Sequence, residues 1–126
     1  MSPQAAPTQQ RPYIEIDDTV LNEMARAIEL AVAPEKIIVF GSYARNASST
    51  TSDVDLLVIE REPFGKGRSR MAELARIRAA LRRFRIPKDV LVYSEADIAE
   101  LQSLPGHVVH ECLRDGRVLY ERPRSS

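Results

Sequence analysis

VFGSYARNASSTTSDVDLLVI, residues 39–59, is the stretch from which the rest of the chain is read. It reads as the end of one strand, a Gly-Ser turn, a short helical start, a polar loop, and a second strand carrying two aspartates. Side chains on an extended backbone alternate faces. Asp53 and Asp55 therefore project to one side and Val54 to the other. Two carboxylates held that close repel each other unless a cation lies between them. A hard divalent ion with oxygen ligands is the natural occupant. Gly41-Ser42 stands where a strand gives way to a helical start. Glycine permits close backbone approach, free N–H groups at the turn can hold an anion, and Ser42 adds a hydroxyl. A phosphate seat beside a carboxylate pair suits a nucleoside triphosphate with magnesium.

Working outward, residues 36–40 (KIIVF) form a short β-branched run that predicts a buried strand. Residues 54–60 are almost continuously apolar after the aspartates, so both faces of that strand should be covered. Upstream, Leu21, Met24, Ala25, Ile28, Ala31 and Val32 recur at helical spacing. They predict an amphipathic helix over 18–32, with Asp17, Asp18 and Thr19 as capping candidates and Pro34 as its stop. Downstream, PFGKG (63–67) is a break, and a helix is expected from about Ser69 to Arg85. Its stripe is Leu74, Ile77, Leu81 and Phe84, with Arg76 and Arg83 opposite. Residues 89–93 (DVLVY) predict a third strand. Ser94 with Asp97 resembles a capping box for a short helix to about Gln102. A further helix is expected from Pro105, including Val108, Val109, Cys112 and Leu113, closed by Gly116. Residues 118–120 can add a short last strand. Strands alternating with helices indicate an α/β arrangement.

The third strand begins with another acid. If it lies beside 54–60, Asp89 joins Asp53 and Asp55 at one edge of the sheet. Three carboxylates on adjacent strands make a two-metal cluster plausible in chemistry. One ion would activate an attacking hydroxyl and the other would hold the triphosphate and its pyrophosphate leaving group. Asp89 could also accept the proton of that hydroxyl.

These residues carry a resemblance. Gly41-Ser42-Tyr43-Ala44-Arg45 followed by Ser52-Asp53-Val54-Asp55-Leu56 resembles the GSxAR…SDxDL signature of the polymerase-β-like nucleotidyltransferases. The small size and the acid of DVLVY resemble the minimal nucleotidyltransferase group. The resemblance implies a small mixed β-sheet flanked by helices (α/β, or α+β), and Mg²⁺-dependent transfer of NMP from NTP with two metal ions. Asp53, Asp55 and Asp89 would be the catalytic and metal-binding set. Gly41, Ser42 and Arg45 would bind the nucleotide, although Arg45 could equally pair with a carboxylate and hold the loop. Many members of that group act as antitoxins beside a helical HEPN-type toxin, and some transfer AMP to a toxin tyrosine. The expected activity is thus AMP transfer from ATP to a hydroxyl of a partner protein. The other readings are neutralisation by complex formation alone, or a free-standing enzyme acting on a small molecule or an RNA end.

Composition bounds the rest. With 126 residues, one domain is expected over 13–122, between a flexible segment 1–12 and a tail 123–126. No run is long and apolar enough for a membrane span, and the first residues lack a signal-peptide core. The lone Cys112 excludes an intrachain disulfide and makes a cytoplasmic location the default. Zero formal net charge argues against direct nucleic-acid binding. It conceals nine basic residues and one acid, Glu73, between Lys66 and Lys88. That face is either solvated or a docking surface for an acidic partner or RNA. His107 and His110 have spacing that allows shared metal ligation, but no further ligand is evident, so a surface or interface role is expected. Cys112 and Tyr43 read as packing residues.

Overall fold

The computed structural model describes residues 17–44 and 53–123. Helix α1 (Asp18–Val32) opens on Asp17, whose side chain accepts the Val20 N–H at 3.1 Å. Leu21, Met24, Ala25 and Ile28 form its buried stripe, while Ala31 stands exposed. The helix stops one residue before Pro34. Ala33 takes the left-handed conformation (φ 50°) and returns its N–H to Glu29. Arg122 Nη2 donates to the Ala33 carbonyl at 2.6 Å, which sets a cation against the negative end of the helix.

Strand β1 (Lys36–Phe40) runs into a single 3₁₀ turn (Gly41–Tyr43), and β2 (Val54–Glu60) follows. Helix α2 (Arg70–Ala80) carries the chain back to β3 (Lys88–Ser94). Helices α3 (Glu95–Leu101) and α4 (Val108–Asp115) lead to β4 (Arg117–Glu121). The sheet order is β3-β2-β1-β4. Strands β1 and β2 are antiparallel, as are β1 and β4. Strands β2 and β3 are parallel, which requires the crossover that α2 supplies. This is the small mixed sheet flanked by helices expected from the resemblance.

Strand alternation sorts the core into two faces. Val54, Leu56, Val58, Val90 and Val92 face α1 and α2, where they meet Met24, Ile28, Ile77 and Leu81. Leu57, Ile59, Leu91 and Tyr93 face the other way, toward Cys112 of α4 and Ile98 of α3. Period two on β2 then puts Asp53 and Asp55 on the face of Leu57, beneath the two short helices. On β3 it puts Asp89 on the same face as Leu91.

Two boundaries differ from expectation. Helix α2 ends at Ala80, not Arg85, and residues 81–84 continue as turns. Leu81 and Phe84 remain buried all the same, because the turns keep their side chains against the sheet. Helix α4 starts at Val108 instead of Pro105. His107 is its N-cap, with Nδ1 accepting the Val109 N–H at 3.0 Å. The expected capping box is present: Ser94 Oγ accepts the Asp97 N–H, and Asp97 accepts the Ser94 N–H, both at 3.1 Å.

Candidate active site

The site lies where β1 ends and β2 and β3 begin. Register pairs Phe40 with Asp55 across the antiparallel ladder and Asp55 with Asp89 across the parallel one. Adjacent strands are about 4.8 Å apart, so the Asp55 and Asp89 carboxylates are neighbours on one face. Asp53, one residue before β2, and Asp89 are exposed, and Asp55 is half-buried between them. Burial pushes the Asp55 pKa up, and the charges of Asp89 and Asp53 push it further in the same direction. Among the described residues none of the three has an ion-pair partner.

Gly41 closes the other side of Asp55. Its φ is +73°, a left-handed conformation that glycine adopts without penalty. A Cβ at this position would stand 2.5 Å from Asp55 Oδ2. The missing side chain is therefore what lets the carboxylate lie against the turn backbone. The turn is braced from β4. Arg117, opposite Val39, donates from Nη2 to the Tyr43 carbonyl at 3.4 Å and pairs with Asp18 at 3.2 Å. Its Nε is buried without a hydrogen-bond partner among the described residues. Tyr43 itself is buried in the core, as expected.

The donor chemistry fits a hard cation: oxygen ligands only, carrying negative charge without internal compensation. The described His, Cys, Asp and Glu side chains do not by themselves form a group of three closed around an ion. The carboxylates instead make an open edge. Remaining ligands in such an edge come from water or substrate phosphate. Ser42 belongs to the 3₁₀ turn. Arg45 lies outside the described residues.

The remaining candidates have local roles. His110 Nδ1 stands 2.8 Å from the Gln102 carbonyl, and His107 caps α4, so each ring is used in a bond of its own segment. Cys112 is buried beneath the acidic face. Burial and the nearby Asp55 charge push its thiol up to about 12, which keeps it neutral and inert.

Sequence reading missed two features. One is Arg117. The other is a second acid cluster at the far end of β2. Glu60 and Glu73 are 3% and 4% exposed, and Glu35 is 7% exposed. Arg68 reaches Glu60 at 2.6 Å and Glu73 at 3.7 Å, and Arg76 reaches Glu73 at 3.0 Å. Arg61 and Arg122 hold Glu35 at 3.3 and 3.4 Å. Burial raises the Glu60 pKa to about 7, helped by a hydrogen bond to Glu73 and opposed by Arg68. A proton on Glu60 lets the two carboxyl groups share a bond that two carboxylates could not. The available signal was position: Glu73 precedes Ile77 by four on the buried stripe.

Comparison with known proteins shows the family. The family model described as "Polymerase beta, Nucleotidyltransferase" matches residues 22–125. The chain belongs to the polymerase beta nucleotidyltransferase family. Its activity class is accordingly nucleotidyl transfer. A Methanocaldococcus jannaschii protein named "Putative protein adenylyltransferase" is 33% identical over 104 residues, 80% of this chain and 92% of that one. Solved structures share the fold. "A putative nucleotidyltransferase from Sulfolobus solfataricus" aligns with TM-score 0.55 at 19% identity, over 83% of this chain and 80% of that chain. A structure described as "the toxin-antitoxin with AMP-PNP" aligns at 0.51 and 17% identity, over 80% and 73% of the two chains. A mutant of the toxin–antitoxin MntA-HpeT aligns at 0.52 and 15% identity, over 85% and 75%. Among the described residues no helix is long and apolar enough to cross a membrane.

Proposed function

We propose that this nucleotidyltransferase transfers AMP from ATP, with Mg²⁺, to a hydroxyl of a partner protein, and that the partner is a HEPN-type toxin which the transfer neutralises. One observation carries the proposal: Asp55 and Asp89 are register partners facing a glycine turn, and neither carboxylate is neutralised within the described chain. The relative named as a protein adenylyltransferase supports a protein acceptor. The structural neighbours described as toxin–antitoxin proteins, one with AMP-PNP, support a toxin partner and an adenine nucleotide. In one of them two aspartates, two positions apart, are changed to glutamate, the same spacing as Asp53 and Asp55.

In this reading Asp53, Asp55 and Asp89 hold two Mg²⁺ ions, which supply charge neutralisation for the triphosphate and a lowered pKa for the attacking hydroxyl. The turn at Gly41 and Ser42 seats the phosphates through backbone N–H groups, and Arg45, three residues on in sequence, also binds the nucleotide. Asp89, outermost of the three, accepts the hydroxyl proton. Arg117 keeps the turn in place through the Tyr43 carbonyl. The catalytic unit is the single domain over 13–122.

The test is incubation with α-labelled ATP, Mg²⁺ and the product of the neighbouring gene. Label on the partner that disappears with Asp53→Asn is the expected result. Full neutralisation of the partner by that variant, with no label on the partner from the wild type, would overturn transfer as the mechanism and leave complex formation in its place.

A further inference from the structure

Most of the described arginines are paired with acids. Arg26, Arg61, Arg68, Arg70, Arg76, Arg114, Arg117 and Arg122 each pair with a carboxylate. Arg83 lies 4.3 Å over the Phe84 ring. The described arginines left without a partner are Arg78, Arg82 and Arg85. All three are exposed, and all three line one groove of about 440 Å³. Buried Phe84, Ile86 and Val90 give it an apolar lining, and Lys88 lines it too, with its Nζ donating to the Phe84 carbonyl at 2.9 Å. Three uncompensated guanidinium groups over an apolar floor favour a ligand that brings both negative charge and side-chain carbon.

The groove's place in the fold says which reactant it meets. It is formed by the end of α2, the turn 81–86 and the first residues of β3. Lys88 immediately precedes Asp89. Strand β3 is an edge of the sheet, and the Gly41 turn belongs to β1, two strands away. Val90 and Asp89 point to opposite faces of β3, so the groove opens on the α2 face and the carboxylates lie on the other, around the β3 edge. A segment lying in the groove and passing around the β3 edge would arrive at Asp89 from the side opposite the phosphates. That is the approach an acceptor hydroxyl needs.

We propose that this groove docks an acidic polypeptide segment of the acceptor protein, next to the hydroxyl that is modified. The proposal rests on the protein-acceptor reading above. A peptide suits it better than RNA. The relative named as a protein adenylyltransferase favours a polypeptide acceptor over a nucleic acid. Phe84 lines the groove, but it is buried with Arg83 over its ring and offers bases little stacking surface.

Fluorescence anisotropy with a short labelled poly-glutamate peptide tests this, against a poly-glutamine peptide of equal length and an oligoadenylate of equal charge. The protein is compared with Arg82→Glu/Arg85→Glu and with Arg26→Glu/Arg114→Glu, which reverses the same charge outside the groove. Poly-glutamate should bind and poly-glutamine should not. The groove variant should lose about tenfold in affinity, and the control should stay within about twofold. Equal loss in both variants, no poly-glutamate binding, or tighter binding of oligoadenylate overturns the proposal. Mg²⁺-ATP affinity, measured on the same samples, should be unchanged in the groove variant. Intact Mg²⁺-ATP binding with no peptide binding removes the groove and leaves the nucleotide site standing. Peptide binding without Mg²⁺-dependent ATP binding removes the nucleotide site, and with it the acceptor role of the groove.

Discussion

Strand β2 carries acid at both ends, and the two ends are built differently. At Glu60, buried carboxylates from β2, α2 and the connection before β1 are matched by Arg68, Arg76, Arg61 and Arg122. At Asp55, the carboxylates are more open, and no described cation pairs with them. A buried charge without a partner costs several kcal/mol, which is why the first cluster brings its own arginines. The second leaves its charge to something from outside. On the proposed function, the difference separates acid that serves the fold from acid that serves a ligand. The raised pKa of Asp55 fits the same contrast: burial, and then the charges of Asp89 and Asp53, disfavour its ionised form.

Breaking each end should therefore have opposite signatures. The largest effect is expected from Asp55→Asn, which should lower nucleotidyl transfer by about a thousandfold or more while slightly raising the thermal midpoint without metal, since it relieves repulsion. Transfer assays and melting curves on one preparation read both. Arg68→Ala should do the reverse. It strands Glu60, leaving Glu73 to Arg76, and should cost about 3 kcal/mol in denaturant unfolding, with transfer per folded molecule retained. Between these lies Gly41→Ala. Its methyl group meets Asp55 Oδ2 and its φ is unfavourable, so a loss of about 1–2 kcal/mol should come together with a loss of transfer.

The far cluster also has a pH signature. Glu60 binds its proton more tightly in the fold than in the unfolded chain, its pKa rising from 4.5 to about 7. Between those values the native state holds more protons, so stability falls as pH rises. The contribution is fully present below pH 4.5 and lost as pH passes through about 7. Glu73 is shifted the other way: its partners lower its pKa against the effect of burial, so its share is lost on acidification below the ordinary carboxylate range. Glu60→Gln should flatten the slope between pH 4.5 and 7, measured by unfolding at several pH values. The smallest effect concerns neither end. Ala33→Gly should stabilise by roughly 0.5–1 kcal/mol, because a left-handed cap is strained for alanine.

What could be read beforehand follows the same division. The Asp-Val-Asp alternation, the glycine turn and the third acid needed only strand period and register. Strand β3 does lie beside β2, in the register that makes Asp89 the partner of Asp55. The edges of α2 and α4 were harder. Leu81 and Phe84 keep their stripe in turns as well as in a helix, so periodicity could not mark where the helix stops. The Glu60–Glu73–Arg68 cluster was hidden because it joins residues of β2, α2 and the connection between them. In sequence, Glu73 is a lone acid in a basic segment, and such segments ordinarily face solvent. Arg117 was hidden likewise, since only the pairing of β4 with β1 brings it to the Gly41 turn.

The central claim is that the uncompensated carboxylates take a metal with the nucleotide. Calorimetric titration of ATP with and without Mg²⁺, on the wild type and Asp55→Asn, tests it most directly. At least tenfold tighter binding with Mg²⁺, abolished in Asp55→Asn, is the predicted result. Equal ATP affinity with and without Mg²⁺, unchanged by Asp55→Asn, would contradict it.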